Sequence, residues 1–302
     1  MISIKNISKS YGETKALDHI SLEVAKGELF GLIGPDGAGK STLFRILTTL
    51  LLADEGSATV AGCDVVKDYR KIRKQVGYMP GRFSLYQDLS VYENLEFFAT
   101  IFGTTIEENY DLIRDIYIQI EPFKTRRAGK LSGGMKQKLA LCCALIHSPT
   151  ILFLDEPTTG VDPVSRKEFW EILKKLKAKG ITILVSTPYM DEASLCEKIA
   201  LIQHGKILSV DTPENIIRQY AQKLWNVRAH HTYGLIKDLE QFSKTHSVFA
   251  FGDGVHLSSN DKTLETAEIE NYLSEKQHQN LEVTPIRANI EDCFMELMRQ
   301  EA

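Results

Sequence analysis

Nine consecutive residues constrain this chain more than any others: Gly34-Pro35-Asp36-Gly37-Ala38-Gly39-Lys40-Ser41-Thr42. They fit G-x-x-x-x-G-K-[ST], a loop that wraps an anion, and the flanks supply the context it needs. Before it, Leu29-Phe30-Gly31-Leu32-Ile33 reads as a short apolar strand. After it, Leu43, Phe44, Ile46, Leu47 and Leu50 recur at helical spacing, so a helix starts inside the motif. Glycines let the backbone close around phosphate. Unpaired N–H groups at the helix start point at its oxygens. Lys40 then reaches the terminal phosphates, and the Ser41 hydroxyl ligates Mg²⁺. The plain alternative is a glycine-rich turn with an incidental lysine. The strand before and the helix after favour a nucleoside triphosphate site.

At 302 residues the chain has room for one large domain and a small one. A net charge of -4 gives no basic surface, so no nucleic-acid partner is expected. Its five cysteines, Cys63, Cys142, Cys143, Cys196 and Cys293, lack metal-ligand spacing and read as reduced thiols of a cytoplasmic protein. The N-terminus enters an alternating strand pattern with no signal peptide. The longest apolar run, Leu139 to Ile146, is too short to span a bilayer. Any membrane part is expected from another protein.

In chain order, Ile2 to Ile7 and Leu17 to Val24 alternate like half-buried strands, with a turn at Ser10-Tyr11-Gly12. Tyr11, ahead of the loop, is either a plain turn residue or an aromatic that stacks on a base. Ser90 and Glu93 form a capping-box pattern, followed by Leu95, Phe98, Ala99 and Ile101 on one helical face. With Leu112 to Ile120, this makes a helical insert of about residues 90–135. Leu131-Ser132-Gly133-Gly134-Met135 opens another helix, a second anion-binding terminus or simply a capped helix. Ile151-Leu152-Phe153-Leu154 is an unbroken apolar strand ending in Asp155-Glu156, placed for a magnesium ligand and a base. Asp162-Pro163 turns into a helix from Arg166 to Lys177, and Ile181 to Ser186 is another buried strand.

This set of motifs resembles the ATPase subunit of an ATP-binding-cassette (ABC) transporter, over roughly residues 1–215. The resemblance implies ATP and Mg²⁺ as ligands and an ABC ATPase of the P-loop NTPase fold, with a helical subdomain. It implies that Tyr11 stacks on adenine, Ser41 and Asp155 hold Mg²⁺, and Glu156 polarises the attacking water. Ser132 and Gly134, in the stretch Leu131-Ser132-Gly133-Gly134, match the signature that caps the ATP of an opposite subunit, and Asp162, in the turn after the Asp155-Glu156 strand, is a further expected nucleotide-site position. Such cassettes pair head-to-tail, so a second cassette and an integral membrane permease subunit are the expected partners. The expected location is the cytoplasmic face of the cell membrane, as a peripheral subunit.

The chain departs from that pattern at four positions. Gly81 stands where the family has a glutamine, and Pro188 where it has a γ-phosphate-sensing histidine. Met135 and Asp36 replace a usual glutamine and asparagine. These changes predict a degenerate site with low intrinsic ATPase activity.

From about Asn215 the composition shifts. A strand at Leu224 to Ala229, a helix at Tyr233 to Phe242, a hairpin around Gly252-Asp253-Gly254, a helix at Leu264 to Leu273 and a strand at Leu281 to Pro285 give a β-α-β-β-α-β order. That order predicts a small ferredoxin-like α/β domain, closed by a helix from Ile290 to Met298. The domains are expected at 1–218 and 219–302. The second resembles the extension of ABC subunits in the drug- and antibiotic-exporter (ABC-2 type) group. His230, His231, His246, His256 and His278 are expected at the surface. A soluble ABC ATPase of translation or DNA repair is the competing reading. It predicts tandem cassettes, long coiled-coil arms or a basic surface, none of which the sequence shows.

Overall fold

Alternation at the N-terminus produces a hairpin. Strands β1 (Ile2–Tyr11) and β2 (Thr14–Val24) pair antiparallel and bury Ile2, Ile4, Ile7, Leu17, Ile20, Leu22 and Val24. The uniformly apolar β3 (Leu29–Ile33) is buried on both faces, as a central strand requires. Helix α1 (Lys40–Leu47) follows the loop directly. Strands β4 (Glu55–Val60) and β5 (Cys63–Asp64) extend the hairpin into a sheet of order β2-β1-β4-β5. Helix α2 (Tyr69–Gln75) leads into β6 (Val76–Met79). The insert then holds α3 (Val91–Phe102) and α4 (Tyr110–Tyr117), and α5 (Gly133–Leu145) begins at its end. Next come β7 (Ile151–Asp155), α6 (Pro163–Ala178), β8 (Thr182–Thr187), β9 (Lys198–Gln203), β10 (Lys206–Asp211) and α7 (Pro213–Arg218).

The main sheet has the order β10-β9-β3-β8-β7-β6, parallel except for its β9–β10 edge. Phe44 of α1 meets Phe153 of β7 edge-on, with centroids 5.9 Å apart, and both rings are fully buried. Each such buried ring contributes about 1.5–3 kcal/mol. The contact fixes the phosphate-loop helix against the strand that carries Asp155.

The chain, seen here as a computed structural model describing residues 1–301, forms two compact units, Met1–Pro213 and Glu214–Gln300. Their boundary lies at the shift in composition, five residues before the expected division at 218/219. In the second unit, β11 (Lys223–Arg228), α8 (Thr232–Gln241), β12 (Ser247–Phe251), β13 (Gly254–Ser259), α9 (Thr266–Glu275) and β14 (Glu282–Ile286) precede α10 (Ile290–Glu301). The sheet order β12-β13-β11-β14, wholly antiparallel, is the ferredoxin-like arrangement. Trp225, Val227, Leu235, Leu239, Val255, Leu257 and Ile269 build its separate core. Pro285 is tolerated in β14 because that strand is an edge.

Several local expectations change. Leu50 lies beyond α1 and is 58% exposed, because Thr49 turns left-handed (φ 64°) and ends the helix. Ile101 is exposed, since it stands two residues past buried Ala99 and so points away from that face. Helix α6 starts at Pro163, earlier than the apolar spacing implies, because Asp162 caps it and proline suits a first turn. His256 is buried and its Nδ1 lies 2.7 Å from Asp292 Oδ1. Strand β13 is covered on both faces, which its polar residues disguise.

Candidate nucleotide site

The loop after β3 and the ends of β6, β7 and β8 share the carboxyl end of the main sheet, the end where parallel α/β sheets bind ligands. The Gly34 N–H donates to Thr187 O at 3.3 Å, which sets Pro188 beside the loop. Two glycines are dictated by close approach. A Cβ on Gly34 would lie 2.1 Å from Ile202 O, and one on Gly39 (φ +106°) would lie 2.4 Å from Ala16 O. Ala38 is buried, its N–H bonded to Pro35 O, while Asp36 and Gly37 sit exposed at the loop tip. Gly39 caps α1 without a side-chain acceptor. The first-turn N–H groups of Lys40, Ser41 and Thr42 therefore have no intrahelical acceptor and suit an anion.

Lys40 is only 3% exposed. Its ammonium donates to Gly34 O at 2.8 Å and Pro35 O at 2.9 Å, and lies 3.1 Å from Glu156 Oε1. Asp155 is buried and its Oδ1 accepts the Ser186 hydroxyl at 2.7 Å. The Glu156 N–H is shared between Ser186 O (3.1 Å) and Ser186 Oγ (3.0 Å). At Glu156 the chain turns left-handed (φ 51°), leaving the strand as its carboxylate meets Lys40. One serine on β8 thus holds both acidic positions.

Gly81 lies against the same carboxylate: a Cβ there would be 3.1 Å from Asp155 O and 3.8 Å from Oδ2. Among the described residues, no group of three His, Cys, Asp or Glu could hold a metal alone. Ser41 and Asp155 instead form the sparse oxygen set that Mg²⁺ accepts when phosphate completes its shell. The residues fit that ion.

The remaining positions lie elsewhere. Ser132, exposed, caps α5 by accepting the Met135 N–H at 3.4 Å. A Cβ on Gly134 would press 2.7 Å from Ser165 Oγ, so this turn packs on the start of α6. There Asp162 accepts the Ser165 N–H at 2.9 Å, a bond that holds its carboxyl below the usual range. Tyr11 ends β1 with its ring 49% exposed. Among the described residues, no hydrogen bond or ion pair joins Ser132, Gly133, Gly134 or Tyr11 to Lys40.

Glu192, unmarked in the sequence, is the hub beneath the site. It is 2% exposed, accepts the hydroxyls of Thr187 (2.5 Å) and Thr158 (3.1 Å), and pairs with Arg166 at 3.0 Å. Arg166 also stacks over Tyr189, 4.1 Å from the ring centroid. The signal was a polar Ser186-Thr187 pair ending an apolar strand, but its partner is set only by folding.

Residues 17–159 match the ABC transporter family. Over 223 residues the chain is 41% identical to the Escherichia coli "Probable multidrug ABC transporter ATP-binding protein YbhF", covering 73% of this chain and 39% of that protein. It therefore spans well under half the length of that relative. "Nod factor export ATP-binding protein I" of Mesorhizobium japonicum is 32% identical over 307 residues, 99% of this chain and 87% of that protein. A solved structure described as "Structure of ATP binding subunit of ABC transporter" superposes with a TM-score of 0.66 at 28% identity, covering 73% of this chain and 93% of that one. The "Dimeric structure of a post-hydrolysis state of the ATP-binding cassette MJ0796 bound to ADP and Pi" gives 0.64 at 28% identity, over 70% and 98% of the two chains. This chain belongs to the ABC transporter family, among its ATP-binding proteins.

Proposed function

We propose that this chain is the ATP-binding subunit of a membrane exporter and works as one half of a cassette pair. ATP lies along the Gly34–Thr42 loop, with Lys40 on its terminal phosphates and Tyr11 against adenine. Ser41 and Asp155 hold Mg²⁺, which neutralises charge on the phosphate oxygens when bound. Glu156 accepts a proton from the attacking water. The observation that carries this reading is the meeting of Lys40 with Glu156, and of Asp155 and Glu156 with Ser186, at the carboxyl end of the main sheet.

Ser132, Gly133 and Gly134 are turned to solvent or to α6, which supports a role at the ATP of the second cassette. The site built on Lys40 is degenerate, since neither Gly81 nor Pro188 offers a side-chain donor. The pair is therefore unequal: this chain's own site retains ATP, and the partner's site does most of the hydrolysis. The permease subunit presents an apolar helix to a groove of about 400 Å³ lined by Tyr78, Met79, Leu85, Phe98 and Phe102. That groove includes Pro80 and so adjoins Gly81 and Asp155. No helix among the described residues is long and apolar enough to cross a membrane.

Lys40→Ala tests the assignment. The variant should lose measurable binding of a fluorescent ATP analogue while its circular dichroism matches the wild type. Undiminished binding would remove the loop from the site.

A further inference from the structure

The helical insert contains a second cavity, of about 430 Å³, unrelated to the phosphate loop. Tyr92, Tyr110 and Tyr117 line it, together with buried Ile106, the carboxylates of Glu107 and Glu121, and Lys124. Tyr110 and Tyr117 stand two turns apart on α4, their rings edge-to-face with centroids 6.2 Å apart. Tyr92 is brought in by its own N–H, which bonds Lys124 O at 3.0 Å and ties the start of α3 to the turn at Glu121–Phe123.

Among the described residues, the polar side chains around this cavity form no hydrogen bond or ion pair. Tyr117 is only 4% exposed. Among the described residues, neither its hydroxyl nor the carboxylate of Glu107 or Glu121 has a hydrogen bond or an ion pair. Lys124 has no ion pair either. Burial pushes the Tyr117 phenol up to about 12, and Glu121, Tyr110 and Tyr92 act in the same direction.

Ligand classes can be sorted by this chemistry. An anion meets two carboxylates and three electron-rich rings. A wholly apolar molecule would strip water from Glu121 and return nothing. A bare divalent ion wants more oxygen ligands than the cavity offers. An organic cation gains from every wall: ring faces attract its charge, and two carboxylates outweigh the single ammonium of Lys124. We propose that this cavity binds a small organic cation of the trimethylammonium type, enclosed by Tyr92, Tyr110 and Tyr117 and neutralised by Glu107 and Glu121.

The test uses the full chain and two probes of equal shape, choline and its neutral carbon isostere 3,3-dimethylbutan-1-ol, titrated by calorimetry. Choline should bind saturably, and the isostere about tenfold more weakly or worse. Glu121→Gln and Tyr110→Leu should each weaken choline by about tenfold, while Lys124→Met should tighten it. ATP-analogue binding should be unchanged in all three variants, showing that they fold. Equal affinity for the two probes, no saturable choline binding, or choline binding indifferent to both Glu121→Gln and Tyr110→Leu would each overturn the proposal.

Discussion

At position 188 both a backbone N–H and any side-chain donor are missing, because the residue is proline. The position adjoins Thr187, whose carbonyl accepts from Gly34, so the loss falls at the mouth of the loop. One preorganised donor to a developing phosphate charge is worth about 2.7–4 kcal/mol, or about 10²–10³ in rate. The isolated chain should therefore bind ATP and turn it over slowly. Pro188→His should raise steady-state turnover only in part, with Gly81→Gln needed for more. That second change asks Asp155 O, 3.1 Å from the new Cβ, to give by a few tenths of an ångström. Phosphate-release assays on wild type and both variants decide it; brisk turnover by the wild type would refute the degenerate-site reading. Lys40, Asp155 and Glu156 were legible in the sequence because each lies in a local pattern tied to a strand end. Glu192 was not. Its partners, Thr158, Thr187 and Arg166, are near only in space. His256 was hidden for a related reason, as alternating polar residues on β13 resemble a solvated face.

Among the elements, α1 and β7 carry the two halves of the site, and the Phe44–Phe153 contact sets their spacing. Phe44→Ala should cost about 3–5 kcal/mol of stability, since the ring is fully buried. Urea denaturation measures that loss. The same variant should bind the ATP analogue more weakly under conditions where it remains folded, because Lys40 loses its fixed distance from Glu156, which follows β7. Unchanged affinity would show that the loop is positioned by its own glycines alone. Element types were readable wherever periodicity was strong, as in β3, β7 and the capped α3. Their ends were less so. The terminus of α1 depends on one left-handed residue, Thr49, and the start of α6 on the Asp162 cap.

For the molecule as a whole, two compact units with separate cores should unfold as two cooperative units. The candidate site lies wholly in the first, so by mass action ATP should raise one calorimetric transition and leave the other in place. A chain ended at Pro213 should keep full ATP affinity. A single transition shifted entirely by ATP would show that the units unfold together. The second unit's sheet has unlike borders. Pro285 deprives β14 of a donor, whereas β12 offers Ser247-Val248-Phe249-Ala250-Phe251, with neither charge nor proline. A visiting strand can be stitched on only where donors and acceptors run unbroken. Copies that meet through this sheet can therefore join β12 to β12 and stop. With one receptive border on each such sheet, a contact made through it closes at a pair and leaves no second border of that sheet from which a fibre could grow.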